Sequence, residues 1–511
     1  MIYPSPQFVS ASRRGGFRRA RHRGIAIILV LGLMAITVAL TYAMMRSQTM
    51  STLVQSNLNR DCDAQQAAQA GMSIALRKLH DDTWPGFLAG DTATITGTLS
   101  STQSFTATYA IGDPRLTPLS PDYSRYPWRV TISVTGTATV VGNSQPSSHN
   151  LCTVVELLPR QLATEPANWS LAQNYTVYQW ADGAANQFRV ELPSHIDGLV
   201  RIRSKLDLCG TDEGANSGLT RYLQDLAAMG APDYRPFDNN VDLVYAYTDS
   251  ETRKLLTDKL GVTTKNTSDP AGNSLSDFGF SKQATTYRLF PKGKLYSVGK
   301  VSGQLSNVVL APDVLTNPLG WFVASGSVTV GSNVSFTGTL HSRGDILFSG
   351  ANTTLQPVSL PAVDVAAAPV QLPVLATEGN VTVQSGSSAT VAGLVFVGGR
   401  FTVVSAPQDS ISFNLAGRLV TKELLIDVRQ EWNQSDTWWQ IKLLAFQLSG
   451  ASFFPPWLET NAGLRQQPRV TLLPPSETTS YHWKNGADSV YVPGSADGGL
   501  RWNVLDWRDT P

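Results

Sequence analysis

IAIILVLGLMAITVALTYAMM, Ile25–Met45, followed by RSQTMSTLVQSNLNRDCDAQQAAQAGMSIALRKL, residues 46–79, is the stretch on which the reading of this chain turns. The first part carries no charge over 21 residues. As a helix rising about 1.5 Å per residue it spans about 31 Å, the thickness of a bilayer core. A soluble core helix of this length would show a polar face, and this one has none. In the second part, small or apolar residues recur at Ala64, Ala67, Ala68, Gly71, Ile74, Ala75 and Leu79, one narrow stripe at helical spacing. Proline is absent from Ile25 to Thr83. The spacing predicts one helix of about 55 residues, half for lipid and half for packing against protein.

The flanks set an orientation. Arg13, Arg14, Arg18, Arg19, Arg21 and Arg23 precede the span without a single acid. Positive charge stays cytoplasmic, so the rest of the chain is expected outside an inner membrane, periplasmic or extracellular. A cleaved secretory signal is the competing reading. Its apolar core is shorter, about 7–15 residues, and ends at a small-x-small site.

Bulk composition fits an exported folded region. The chain has 511 residues, 42% hydrophobic and only 15% charged, enough for several domains. Removing the six leader arginines leaves 34 basic and 39 acidic residues, so no nucleic-acid partner is expected. Cys62, Cys152 and Cys209 match no zinc spacing. In an oxidising compartment they allow one disulfide, for which Cys152–Cys209 is the pairing expected, against three unpaired thiols.

The N-terminal segment resembles that of type IV pilin-like proteins, most closely PilX-like minor pilins and K-type minor pseudopilins of type II secretion. The resemblance covers roughly residues 13–80 and rests on two stretches, Arg23-Gly24-Ile25-Ala26-Ile27-Ile28-Leu29-Val30-Leu31 and Ala67-Ala68-Gln69-Ala70-Gly71-Met72. It implies cleavage between Gly24 and Ile25 by a prepilin peptidase and partners that are other pilin-like subunits. Major pilins carry Glu at the fifth mature position. Leu29 stands there in this chain, as is common in the minor subunits, which implies a tip or initiating role.

Downstream, alternation predicts strands at 105–111, 128–141 and 150–158, a small antiparallel domain over residues 83–160. A weak repeat then appears in 161–430. GLVRIRSKLDL from Gly198, GTLHSRGDILF from Gly338, GLVFVGGRFTV from Gly393 and GRLVTKELLID from Gly417 align without gaps. Apolar residues fall two places after each Gly (Val200, Leu340, Val395, Leu419) and eight places after it (Leu206, Ile346, Phe401, Leu425). Short strands broken by turns predict layers of a β-solenoid, with an antiparallel sandwich as the alternative. An insertion is expected over 211–325, with helices at 218–230 and 250–261. A Trp-rich cap is expected over 431–511. The fold class expected is therefore α+β, mostly β.

Chemistry is sparse. His341, Ser342 and Asp345 lie within five residues, but catalytic triads assemble from distant segments, and Asp345 reads as a turn residue. Asp207, Asp212, Glu213 and Asn216 lack EF-hand spacing. No catalytic residue, metal or cofactor is expected. The expected role is that of a structural minor pilin or pseudopilin-like subunit. The alternatives are a single-span envelope scaffold or adhesin, and an exported carbohydrate-active β-helix enzyme.

Overall fold

The computed structural model describes residues 23–79, 84, 86–87, 90–139, 146–159, 175–181, 183–190, 194–208, 242–245, 254, 263–265, 285–290, 292–360, 370–404, 411–427, 470–475, 484–485, 490–491 and 500–510. Its first element is one unbroken helix, α1, Arg23–Lys78. That is the single long helix the apolar run and the absence of proline predict. Thr37, Thr41, Thr49 and Thr52 each donate a hydroxyl hydrogen bond to the carbonyl four residues back, so these polar groups need no outside partner.

The C-terminal part of α1 lies on an antiparallel sheet. Strands β1 (Thr92–Thr98), β2 (Gln103–Ile111), β3 (Arg129–Ala138) and β4 (Ser147–Pro159) follow one another in space as in sequence. A fifth strand, Leu500–Thr510, pairs antiparallel with β4 and closes that side. The segment 500–510 is thus not part of a cap over the parallel region. Trp502 packs half-buried on the head core, and Trp507 is exposed on the edge. The other tryptophans of the expected cap, Trp432, Trp438, Trp439, Trp457 and Trp483, lie outside the described residues.

The helix stripe becomes the core. Ala64, Ala67, Ala68, Met72, Ala75, Leu76 and Leu79 are buried, against Phe105, Tyr109, Ile132 and Val134 of the sheet. Burying a side chain the size of Met72 contributes roughly 2 kcal/mol. The Tyr109 hydroxyl donates to the Ala75 carbonyl at 2.8 Å. This burial holds that phenol's ionisation well above its usual range.

The second unit is a large curled sheet of 21 strands in which every pairing is parallel. It is made of three ladders. In the first, Phe322, Leu340, Leu375, Val395, Leu419, Val177 and Val200 stack in register. In the second, Val328, Ile346, Val381, Phe401, Leu424, Phe188 and Leu206 do so. In the third, Phe336, Leu355 and Val391 lie in one column, continued by Leu415, Leu472 and Ile196. All three columns point into one apolar core.

The predicted repeat maps onto these ladders with three departures. All four residues two places after the glycines occupy one column. Eight places on, the fourth member is displaced: Leu424, not Leu425, meets Phe401, because a register shift falls between Val397 and Arg400. A fifth member, Gly320 with Phe322 and Val328, lies inside the expected insertion, so that insertion ends before residue 299, where the first layer begins. Spatial order also differs from chain order. The early layers at 177–208 stack beyond 412–427, followed by Asp242–Tyr245 and Thr263–Lys265. Of the two expected helices in 211–325, only Lys254, which is helical, is a described residue.

One apolar core joins the head to the first layers. Tyr287, Leu289, Phe290, Leu319 and Trp321 are buried with Met72, Trp84 and Phe87. The Tyr287 hydroxyl donates to Asn317 Oδ1 at 2.7 Å and accepts from the Leu319 amide at 3.0 Å. Asn317 Oδ1 also accepts from the Trp321 amide at 3.1 Å.

Candidate functional site: the unpartnered half of the N-terminal helix

From Ala26 to Leu58 every residue of α1 is exposed, whereas the helix is buried on the sheet from Ala64 onward. Leu29 is 59% exposed and Ile28 73%. Isolated exposed apolar side chains are ordinary, but a continuous run around the whole circumference of a helix is not. Among the described residues, α1 is the one helix long and apolar enough to cross a membrane. Among the described residues outside the helix's own backbone, nothing approaches within 4 Å of the position a side chain would take at Gly32, so a neighbouring helix can come close there.

The expected processing bond, Gly24–Ile25, lies in the first turn of α1. Arg13, Arg14, Arg18, Arg19 and Arg21 lie outside the described residues, and Arg23 begins the helix. Cys152 is buried on β4, while its expected partner Cys209 lies outside the described residues.

The head holds a charged cluster that sequence spacing does not reveal, because its members come from three distant segments. Asp113 is buried in the turn after β2. Arg115 reaches it at 3.1 Å and also reaches Asp506 of the C-terminal strand at 3.0 Å. Buried Arg129 approaches Asp113 at 3.4 Å and Glu156 at 3.7 Å, and Arg125 approaches Glu156 at 3.4 Å. Burial pushes the Asp113 carboxyl up, but hydrogen bonds and charge from Arg115, helped by Arg129, outweigh it and hold the group below the usual carboxylate range. The cluster clamps the C-terminus to the sheet.

Beside it, a cleft of about 250 Å³ is lined mainly by Trp128, Pro312, Val314, Pro318 and Val358. Its one charged group, Arg125, is paired with Glu156. His341 is buried against Trp321, with ring centroids 6.3 Å apart, and burial lowers its proton affinity. Ser342 donates to backbone carbonyls rather than to His341. Asp345 accepts from the Asn380 backbone amide at 2.7 Å, a bond to the next layer rather than to His341 or Ser342. Among the described residues, no group of three His, Cys, Asp or Glu side chains could hold a metal ion.

The described elements define a protein with a long N-terminal helix, half seated on a small antiparallel sheet and half bare, carrying a large parallel sheet. No family model and no curated protein matches the chain. It is similar to the competence-associated pilin ComZ from Thermus thermophilus, at 12% identity and a TM-score of 0.23, over 88% of this chain and 98% of that one.

Proposed function

We propose that this chain is a minor pilin or pseudopilin-like structural subunit of a type IV pilus or type II secretion apparatus. In this reading, residues 25–45 span the inner membrane, and a prepilin peptidase cuts between Gly24 and Ile25. The bare half of α1 then passes from lipid into a bundle of like helices. A helix satisfies its own backbone in either setting, so the transfer leaves no peptide group unpaired. The observation that carries the reading is the division of α1: a buried small-residue stripe from Ala64 to Leu79, and an apolar, partnerless surface before it.

The three parallel ladders support reading the large sheet as one β-solenoid. Because the C-terminal strand returns to β4, that sheet is inserted within the head rather than appended to it. So bulky a head fits the tip of a filament, where no later subunit must pack above it. The test is N-terminal sequencing of membrane-extracted protein from cells that hold a prepilin peptidase. The expected first residue is Ile25. An intact Met1 end would sink the proposal and favour a single-span scaffold or adhesin.

A further inference from the structure

The parallel sheet has an open end. Its first layer consists of the strands Gly299–Lys300, Gln304–Leu305 and Val308–Leu310. Each pairs in parallel with the layer at 321–337, and among the described residues none pairs on its other side. The next layer is paired on both sides. The hydrogen bonds show which groups are left over. The Gly303 and Leu305 carbonyls accept from the Thr329 and Gly331 amides at 2.8 and 2.7 Å, and the Asn307 amide donates to the Ser332 carbonyl at 2.9 Å. Alternate residues of a strand direct their peptide groups to opposite edges, so those of Gln304 and Ser306 face off the end. The Gln304 carbonyl takes the Ser302 hydroxyl at 2.7 Å.

Such an edge is a template for another strand, and proteins that keep theirs single guard it with lysine, other charges or proline. From Val301 to Ala311 this edge has none of these. The end of the core is bare as well: Val301, Val308 and Leu310 are partly buried on it, and Val309 beside them is 75% exposed. A column of asparagines runs down to the same end. Asn352 donates through Nδ2 to Asn333 at 3.3 Å, and Asn333 to Asn307 at 2.9 Å. Among the described residues, the Nδ2 of Asn307 has no acceptor of its own.

We infer that this end is a self-association site, closed by the same end of a second copy of the chain across a two-fold axis at the corner between Ser306 and Asn307. Charge complementarity favours the second copy. The layer is bounded by Lys300 and Asp313, both exposed and opposite in sign. An antiparallel copy centred on that corner sets Lys300 of each against Asp313 of the other. The pleat agrees. The same centring opposes Leu305 to Val308, both turned toward the core, and Gln304 to Val309, both turned outward. A register one residue away would oppose core-facing to outward side chains. The contact continues the stacking by which the chain's own layers hold together. One layer edge is small beside a standard interface of about 1,600 Å², so the dimer is expected to be weak and concentration-dependent.

The experiment uses the full chain in detergent micelles, its mass followed by light scattering from low to high micromolar concentration, with amide hydrogen exchange read over 301–311. Dimers are expected to form as concentration rises, and the Gln304 and Ser306 amides to exchange more slowly as they do. Gln304→Lys combined with Val309→Lys sets like charges across the axis and should weaken association at least about tenfold. Gln304→Asn with Val309→Ile should retain it. Gly32→Leu, on the bare half of α1, should leave the edge protection unchanged. An unchanged melting temperature in the double Lys variant shows that folding is intact. Should that variant not fold, Lys300→Asp carries the test, because it opposes two acids across the axis and should weaken association too. A monomer at every concentration overturns the inference. So do dimers whose edge amides exchange as in the monomer, which would place the contact on α1, edge protection that ignores concentration, or full association by either charged variant.

Discussion

Gly136 on β3 lies directly beneath Ala64 of α1: a Cβ built on Gly136 would stand 2.3 Å from the Ala64 carbonyl oxygen and from the Ala68 amide nitrogen. The obstacles are backbone atoms, which cannot swing aside. Gly136→Val should therefore lift the helix off the sheet and cost about 3 kcal/mol, the upper range for overpacking. Urea unfolding followed by tryptophan fluorescence would show it, since Trp84 and Trp128 sit in the same core. An unchanged midpoint would mean that α1 is not seated there.

The corners of the parallel sheet make a second demand on glycine. Gly338 has a φ of +143°, and a Cβ there would meet the Gly320 carbonyl oxygen at 2.1 Å. Gly338→Ala should cost about 3 kcal/mol through strain and overlap together. Gly326, with nothing within 4 Å and no positive φ, is the control. Gly326→Ala should be neutral or raise stability by about 0.5 kcal/mol through the unfolded chain. Equal effects at both positions would contradict the corner assignment.

Those glycines also show what could be read in advance. The helix was legible because lipid-length hydrophobicity and a small-residue stripe are local signals. The first and second ladders were legible in part, because a corner glycine and two apolar residues recur at constant spacing. The alignment failed at Leu425, since a bulge between Val397 and Arg400 shifts the register without a mark in composition. It could not reveal that Val177 stacks on Leu419, because apolar spacing identifies a layer and not its neighbour. The charged cluster escaped for a similar reason. Arg129 joins Asp113 to Glu156 once β3 is paired with β4, and Asp506 reaches Arg115 only once the C-terminal strand is placed beside β4.

The Asp113 cluster predicts an acid-sensitive C-terminus. Its carboxyl ionises below the usual range when folded, and near pH 3.9 when unfolded. The charged form is thus favoured by folding. The stabilisation is fully present above about pH 4 and is lost as pH falls through the folded value. Asp113→Ala should cost about 2 kcal/mol at neutral pH by removing the charged hydrogen bonds from Arg115 and one of the carboxylates facing buried Arg129, which keeps Glu156, and should flatten the stability slope below about pH 4. Urea midpoints at neutral pH and at about pH 3, in wild type and variant, check both. A variant with the full acid slope would place the lability elsewhere.

His341 gives a second, separate pH window, because the sign of its effect comes from burial rather than pairing. Its ring packs on Trp321 at the joint between head and parallel sheet, and desolvation lowers its pKa from 6.5. Glu378 opposes that shift and Arg343 adds to it, but burial dominates. The unfolded chain therefore takes up a proton near pH 6.5 that the folded chain resists. Stability is complete above that pH and declines as pH falls from about 6.5 toward the lower folded value, below which the loss levels off. His341→Gln keeps a polar side chain of similar size without the titration, so it should remove this slope while leaving the Asp113 slope near pH 4. Two steps in the wild-type profile and one in the variant would locate the upper step at His341. A His341→Gln profile identical to wild type would show that the histidine is solvated, and that the joint between head and parallel sheet is looser than its packing implies.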